Sequence, residues 1–99
     1  MNRLVLSAQL AERGAMRYTP AGLPALELGL KHESKVTEDG QIRQVSMEVR
    51  AVAFGAITHR MGSLAIGSTG IFAGFMTAGR NGRGLVFHVT EFDAAASTV

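Results

Sequence analysis

The sequence predicts a single all-β domain: five antiparallel strands coiled into a closed or nearly closed barrel. Three observations carry that expectation. Apolar and polar residues alternate with period two in five separate runs, and no stretch sustains a long helical period. Turn residues punctuate the gaps between the runs. Glycines fall inside the runs themselves, at Gly29, Gly70 and Gly74, where they supply the bends and bulges that a small closed sheet requires.

The elements follow in order. Leu4, Leu6, Ala8 and Leu10 alternate with Arg3, Ser7 and Gln9, and only Val5 breaks the polar face of this first run. "TPAGLP", with Pro20, Gly22 and Pro24, reads as the turn into a second strand on which Leu26, Leu28 and Leu30 alternate with Glu27, Gly29 and Lys31. "KVTEDGQ" reads as a polar connection with Asp39-Gly40 as its turn. The third strand carries Val45, Met47, Val49, Ala51 and Ala53 on one face and Gln44, Ser46, Glu48 and Arg50 on the other. "GAITHRMGSLAIGSTG" is irregular, with room for a helical turn near Ile57 to Met61. On the fourth strand Thr69, Ile71, Ala73 and Phe75 share a face, and on the fifth Leu85, Phe87 and Val89. Between them lies "AGRNGRG", whose Asn81-Gly82 suits the positive-φ positions of a two-residue hairpin turn. The domain therefore spans residues 1–93, and "AAASTV" at 94–99 is expected to be a flexible tail.

Composition narrows the function. The chain has 99 residues and no cysteine, so disulfides, thiolate catalysis and cysteine metal sites are excluded; a reducing cytoplasm suits such a chain. No apolar run approaches a bilayer span, and the N-terminus makes a poor signal peptide, so no membrane association is expected. His32, His59 and His88 lack paired-ligand spacing and read as strand-face or loop residues. There is no nucleophile elbow, phosphate-binding loop or dinucleotide fingerprint, and "GSTG" at Gly67 to Gly70 enters a strand instead of a helix. Neither an enzyme, nor a metal, nor a cofactor is expected.

Charge is distributed unevenly. Net charge is only +2, but eight of the ten basic residues are arginine, whose planar fork suits phosphate. Six of the eight acids lie between Glu12 and Glu48, whereas the segment from Val49 to Gly84 has none and holds Arg50, Arg60, Arg80 and Arg83. Each arginine alone reads as a solvated surface charge. Together, Arg17 in the first turn, Arg43 and Arg50 on the third strand, and Arg80 and Arg83 in the last loop make a candidate surface for single-stranded nucleic acid. Such surfaces also need aromatic platforms, and here the chain is poor. Tyr18, beside Arg17, is the best candidate for stacking and suits packing on a turn proline equally well. Phe75, Phe87 and Phe92 fall where core is the default, and Phe54 and Phe72 are ambiguous.

"NRLVLSAQL", "RYTPAGLPALELGLKHES" and "GAITHRMGSLAIGSTGIFAGFMTAGRNGRGLVFHVTEFD" together resemble the bacterial primosomal replication protein N (PriB) family, relatives of single-stranded DNA-binding protein, over about Asn2 to Asp93. The resemblance implies an OB-fold homodimer that binds single-stranded DNA and joins the restart helicase and further primosome components at a stalled fork. It places Arg17, Arg43, Arg80 and Arg83 at basic positions of the family. The chain departs from it at Gln41 and Ser46, where better-endowed members carry aromatics, at Glu33, a basic position, and in a shorter, less charged loop at Ala78. Losing two stacking platforms, at about 1–3 kcal/mol per base, predicts weak, strongly salt-dependent DNA binding through arginine–phosphate contacts. The alternative is a protein-interaction module that docks on the helicase and barely touches DNA.

Overall fold

The computed structural model describes residues 1–94; of the expected tail, residues 95–99 lie outside the described residues. Six strands and one helix are present: β1 Leu4–Arg13, β2 Arg17–Tyr18, β3 Pro24–Glu38, β4 Gln41–Phe54, α1 Ile57–Ser63, β5 Thr69–Ala78 and β6 Leu85–Asp93, with a 3-10 turn at Arg80–Gly82. The sheet order β1-β5-β6-β4-β3-β2, with β1 also paired to β3, closes five long strands into a barrel and leaves the two-residue β2 on the outer edge of β3. Four of the five seams are antiparallel; the fifth, β4 against β6 at Ala51↔Phe87 and Val52↔His88, is parallel. This is the OB-fold architecture, a five-stranded Greek-key barrel.

Closure follows from how β1 is shared. Its first half pairs with β5, Leu4↔Gly74 to Gln9↔Thr69, and its second half with β3, Gln9↔Lys31 to Arg13↔Leu28. A register shift between Leu10 and Glu12 turns the strand between its two partners. Inside, Leu6, Leu10, Leu26, Leu28, Leu30, Met61, Phe72, Phe87, Val89 and Phe92 form one core. Helix α1 plugs one end with Met61, which is fully buried. Its last turn is held by Arg13, whose guanidinium donates to the carbonyl oxygens of Met61 and Leu64 and so satisfies acceptors that a helix end leaves open.

Three local expectations are corrected. The segment "KVTEDGQ" is strand apart from its turn: β3 and β4 pair continuously from Ala25↔Phe54 to Glu38↔Gln41, and only Asp39 (φ 50°) and Gly40 (φ 77°) turn the chain. The core face of this hairpin runs out of the barrel beyond Leu30 and Val49, leaving Val36 and Met47 exposed on a projecting arm. Cross-strand pairs, not burial, stabilise such an arm, so hydropathy does not reveal it. On β5 the buried face is Phe72 and Met76, opposite Leu6, and Phe75 lies on the outside. Finally, "AGRNGRG" is not a two-residue turn. Six residues, 79–84, connect the last β5–β6 pair, Ala78↔Leu85. Gly82 N donates to Gly79 O at 3.0 Å and Gly79 N to Gly84 O at 3.1 Å, while Asn81 does adopt positive φ, 62°.

Candidate nucleic-acid interface

The register sets one row of side chains across the outer face of the barrel. Glu27 on β3 pairs with Val52 on β4, Val52 with His88 on β6, and His88 with Phe75 on β5. Phe54 lies two residues beyond Val52 on the same face, and Arg50 two residues before it. The rings close into a stack. The His88 imidazole lies 4.7 Å from the Phe75 centroid at an interplanar angle of 19°, and 5.4 Å from the Phe54 centroid at 25°. Both phenylalanines keep more than a third of their surface in water, Phe54 at 38% and Phe75 at 39%. Apolar rings left open on a polar surface are a natural platform for nucleobases.

A groove of about 330 Å³ runs beside this stack. Arg17, Glu27, Arg50, Phe54, Val86 and His88 line it, and Ala78 and Gly79 bring the 79–84 loop to its rim. Strand β2, paired Arg17↔Ala25 and Tyr18↔Pro24, carries Arg17 to the opposite wall. There its Nη2 meets Glu27 Oε2 at 2.5 Å. Arg50 has no ion-pair partner among the described residues.

The predicted site residues thus separate. Arg17 and Arg50 come together in the groove, and Arg80 and Arg83 sit on the loop that forms its rim. Tyr18 is exposed, with Pro24 as its register neighbour, and does not line the groove. Arg43 lies near the arm tip, paired with Glu38 at 3.0 Å. It lies seven positions from Arg50, so at about 3.3 Å per residue it stands roughly 23 Å away and on the opposite face of the strand. Phe75 and His88 are not among the site residues that the sequence predicts. One signal for His88 was present: with Leu85, Phe87 and Val89 facing inward, His88 must face out.

Burial holds the His88 imidazole below its ordinary value of 6.5, because desolvation disfavours the charged ring. Near pH 7 the middle of the stack is therefore neutral. The folded state binds this proton less readily than the unfolded chain, so its contribution is absent above 6.5 and becomes destabilising as pH falls through that value. The melting temperature should accordingly drop between about pH 7.5 and pH 5.5, and His88→Gln should lessen that drop. Equal pH dependence of the two proteins, read by thermal melts, would refute this assignment.

The sequence model of a family described as "another single-strand binding protein family" matches residues 2–91. The replication restart protein PriB of Bordetella pertussis is 48% identical over 80 residues, covering 81% of this chain and 75% of that protein. Among solved structures, PriB from Ralstonia solanacearum superimposes with a TM-score of 0.86 at 34% identity, over 94% of this chain and 96% of the other. The wild-type single-stranded DNA binding protein of Thermus aquaticus gives 0.73 at 27% identity, over 94% of this chain and 49% of that one. An OB barrel with this strand order, matched in sequence and in backbone along nearly its whole length, belongs to the PriB family of replication restart proteins.

Proposed function

We propose that this protein is a non-enzymatic accessory of replication restart that binds single-stranded DNA along the groove between Arg17 and the Phe54–His88–Phe75 stack. Bases stack on the exposed ring faces, and phosphates engage Arg50 and the loop arginines Arg80 and Arg83, with Arg17 on the opposite wall of the groove. The observation that carries this reading is the ring stack itself: three near-parallel rings lie on the outer face of the barrel, apart from its core, with the two phenylalanines still open to water. In the cell the protein would act in the cytoplasm, beside the restart helicase and further primosome components; the names of its relatives support the replication-restart part of this reading. A homodimer is part of this reading. The outer edge of Leu4 to Ala8 on β1 carries no strand among the described residues, although His32 Nδ1 approaches Ser7 O at 2.6 Å, and an open edge of this kind invites a second copy.

A second reading, docking on the helicase with little direct DNA contact, is favoured by one observation: Arg17 and Arg43 already hold carboxylates. Fluorescence anisotropy of a single strand of roughly 30 nucleotides, titrated at about 50 mM and about 200 mM salt, separates the two. With three phosphate contacts the slope of log affinity against log salt is about −2. No binding at the lower salt would leave the docking reading.

A further inference from the structure

We propose that Glu27 gates the groove: by holding Arg17 it competes with phosphate for that guanidinium and lowers the affinity of the site for an anionic strand. The inference rests on the DNA-binding reading above.

The pair is built by the register. Arg17 lies opposite Ala25, and Glu27 is two residues further along β3 on the same face, a diagonal that long side chains span. The backbone is pinned on the same side, where Gly14 N donates to Glu27 O at 2.9 Å. The side chains remain about half exposed, 47% for Arg17 and 56% for Glu27, so water and a ligand both reach the pair. Glu27 also lies diagonally from Arg50, because Glu27 pairs with Val52 and Gly29 with Arg50. The carboxylate therefore stands between the two arginines of the groove. A strand laid along the ring stack meets it before it meets Arg17.

Two consequences follow from charge alone. A phosphate engages Arg17 only by exchange with Glu27, so Arg17 adds little to the counterion release that drives binding. The freed carboxylate then faces the phosphate across a few ångströms, which disfavours the exchanged state. The ion pair itself adds little to stability, as exposed pairs do. Its effect is on what the groove accepts.

The test uses Glu27→Gln, Arg17→Ala and the double variant, each titrated with a fluorescent oligothymidylate at about 50 mM and 200 mM salt. Glu27→Gln, an exposed substitution that leaves the fold in place, is expected to bind about fivefold tighter at the lower salt, with a slope steeper by about 0.7 from the one phosphate contact added. In the Arg17→Ala background the gain from Glu27→Gln should disappear, because no guanidinium is left to be freed. An affinity of Glu27→Gln within twofold of wild type overturns the gate. So does the same gain appearing in the Arg17→Ala background, which would make it a general charge effect. If wild-type binding is weakened by Phe54→Ala while Glu27→Gln changes nothing, the gate falls and the DNA-binding reading stands. If neither wild type nor Glu27→Gln binds, both fall.

Discussion

Gly74→Ala is expected to abolish the native fold, or to lower the melting temperature by at least about 15 °C, as measured by circular dichroism. A Cβ at this position would lie 1.7 Å from the carbonyl oxygen of His88 and 2.9 Å from its carbon. Both are backbone atoms of the neighbouring strand, so no rotamer change relieves the contact. The site is also where the β5–β6 ladder slips: Ala73 pairs with Glu91 and Gly74 with Val89, so Thr90 bulges. That bulge bends β6 around the barrel so that Phe87, Val89 and Phe92 all reach the core. Moving the backbone to admit a methyl group breaks both the ladder and the closure, a loss of about 4 kcal/mol or more against a total stability of about 5–15 kcal/mol. Gly62→Ala is the control. It lies in α1 with nothing within 4 Å of its Cβ, and alanine is the better helix former by about 1 kcal/mol, so this variant should melt at or above the wild-type temperature. A Gly74→Ala protein melting within a few degrees of wild type would show that the bulge is not essential to closure.

Gly74 also marks the limit of what periodicity reveals. The runs led by Leu4, Leu26, Val45 and Leu85 alternate cleanly because one face of each meets water, and the structure keeps their inward faces wherever the strands line the barrel. The β5 run "GIFAGFM" is apolar on both sides. Its phase is decided by pairing with Leu4 and Leu6 on β1, a long-range fact that no local pattern carries. Alternation alone predicts Phe75 inward for that reason, and it stands outside. The arm fails differently. From His32 to Met47 both strands are short of apolar residues, and the continuous ladder between them is specified by Asp39-Gly40 alone, the one local signal that was legible.

For the site, residue type was legible and assembly was not. Arginine enrichment pointed to the surface, but whether an arginine is available depends on its neighbours across the sheet. Arg17 and Glu27 are ten positions apart with nothing in the sequence to link them, and only β2's pairing with β3 brings them together. The ring stack draws on three strands. The parallel β4–β6 seam that sets His88 between Phe54 and Phe75 follows from barrel closure, which lies beyond the reach of any single segment.

That stack also changes the expected strength of binding. With Gln41 and Ser46 in place of aromatics, the sequence predicts contacts carried by arginine; in the proposed reading Phe54, His88 and Phe75 provide a platform elsewhere, on the β4 face that Ser46 shares. Phe54→Ala is expected to weaken binding of an oligothymidylate by about 5- to 150-fold, the equivalent of one stacked base at about 1–3 kcal/mol. Phe75→Ala should act similarly, and the double variant less than additively, because both rings lean on His88 and either truncation loosens it. Neither ring is in the buried core, so both variants should fold, and melts recorded beside the titrations check this. The slope against salt is the more telling quantity. Removing a ring removes no phosphate contact, so affinity should fall with the slope unchanged, whereas Arg50→Ala should make the slope shallower by about 0.7. If Phe54→Ala and Phe75→Ala bind DNA as wild type does, bases do not stack there. The exposed rings would then be an apolar surface for a protein, and the arginines around them its rim.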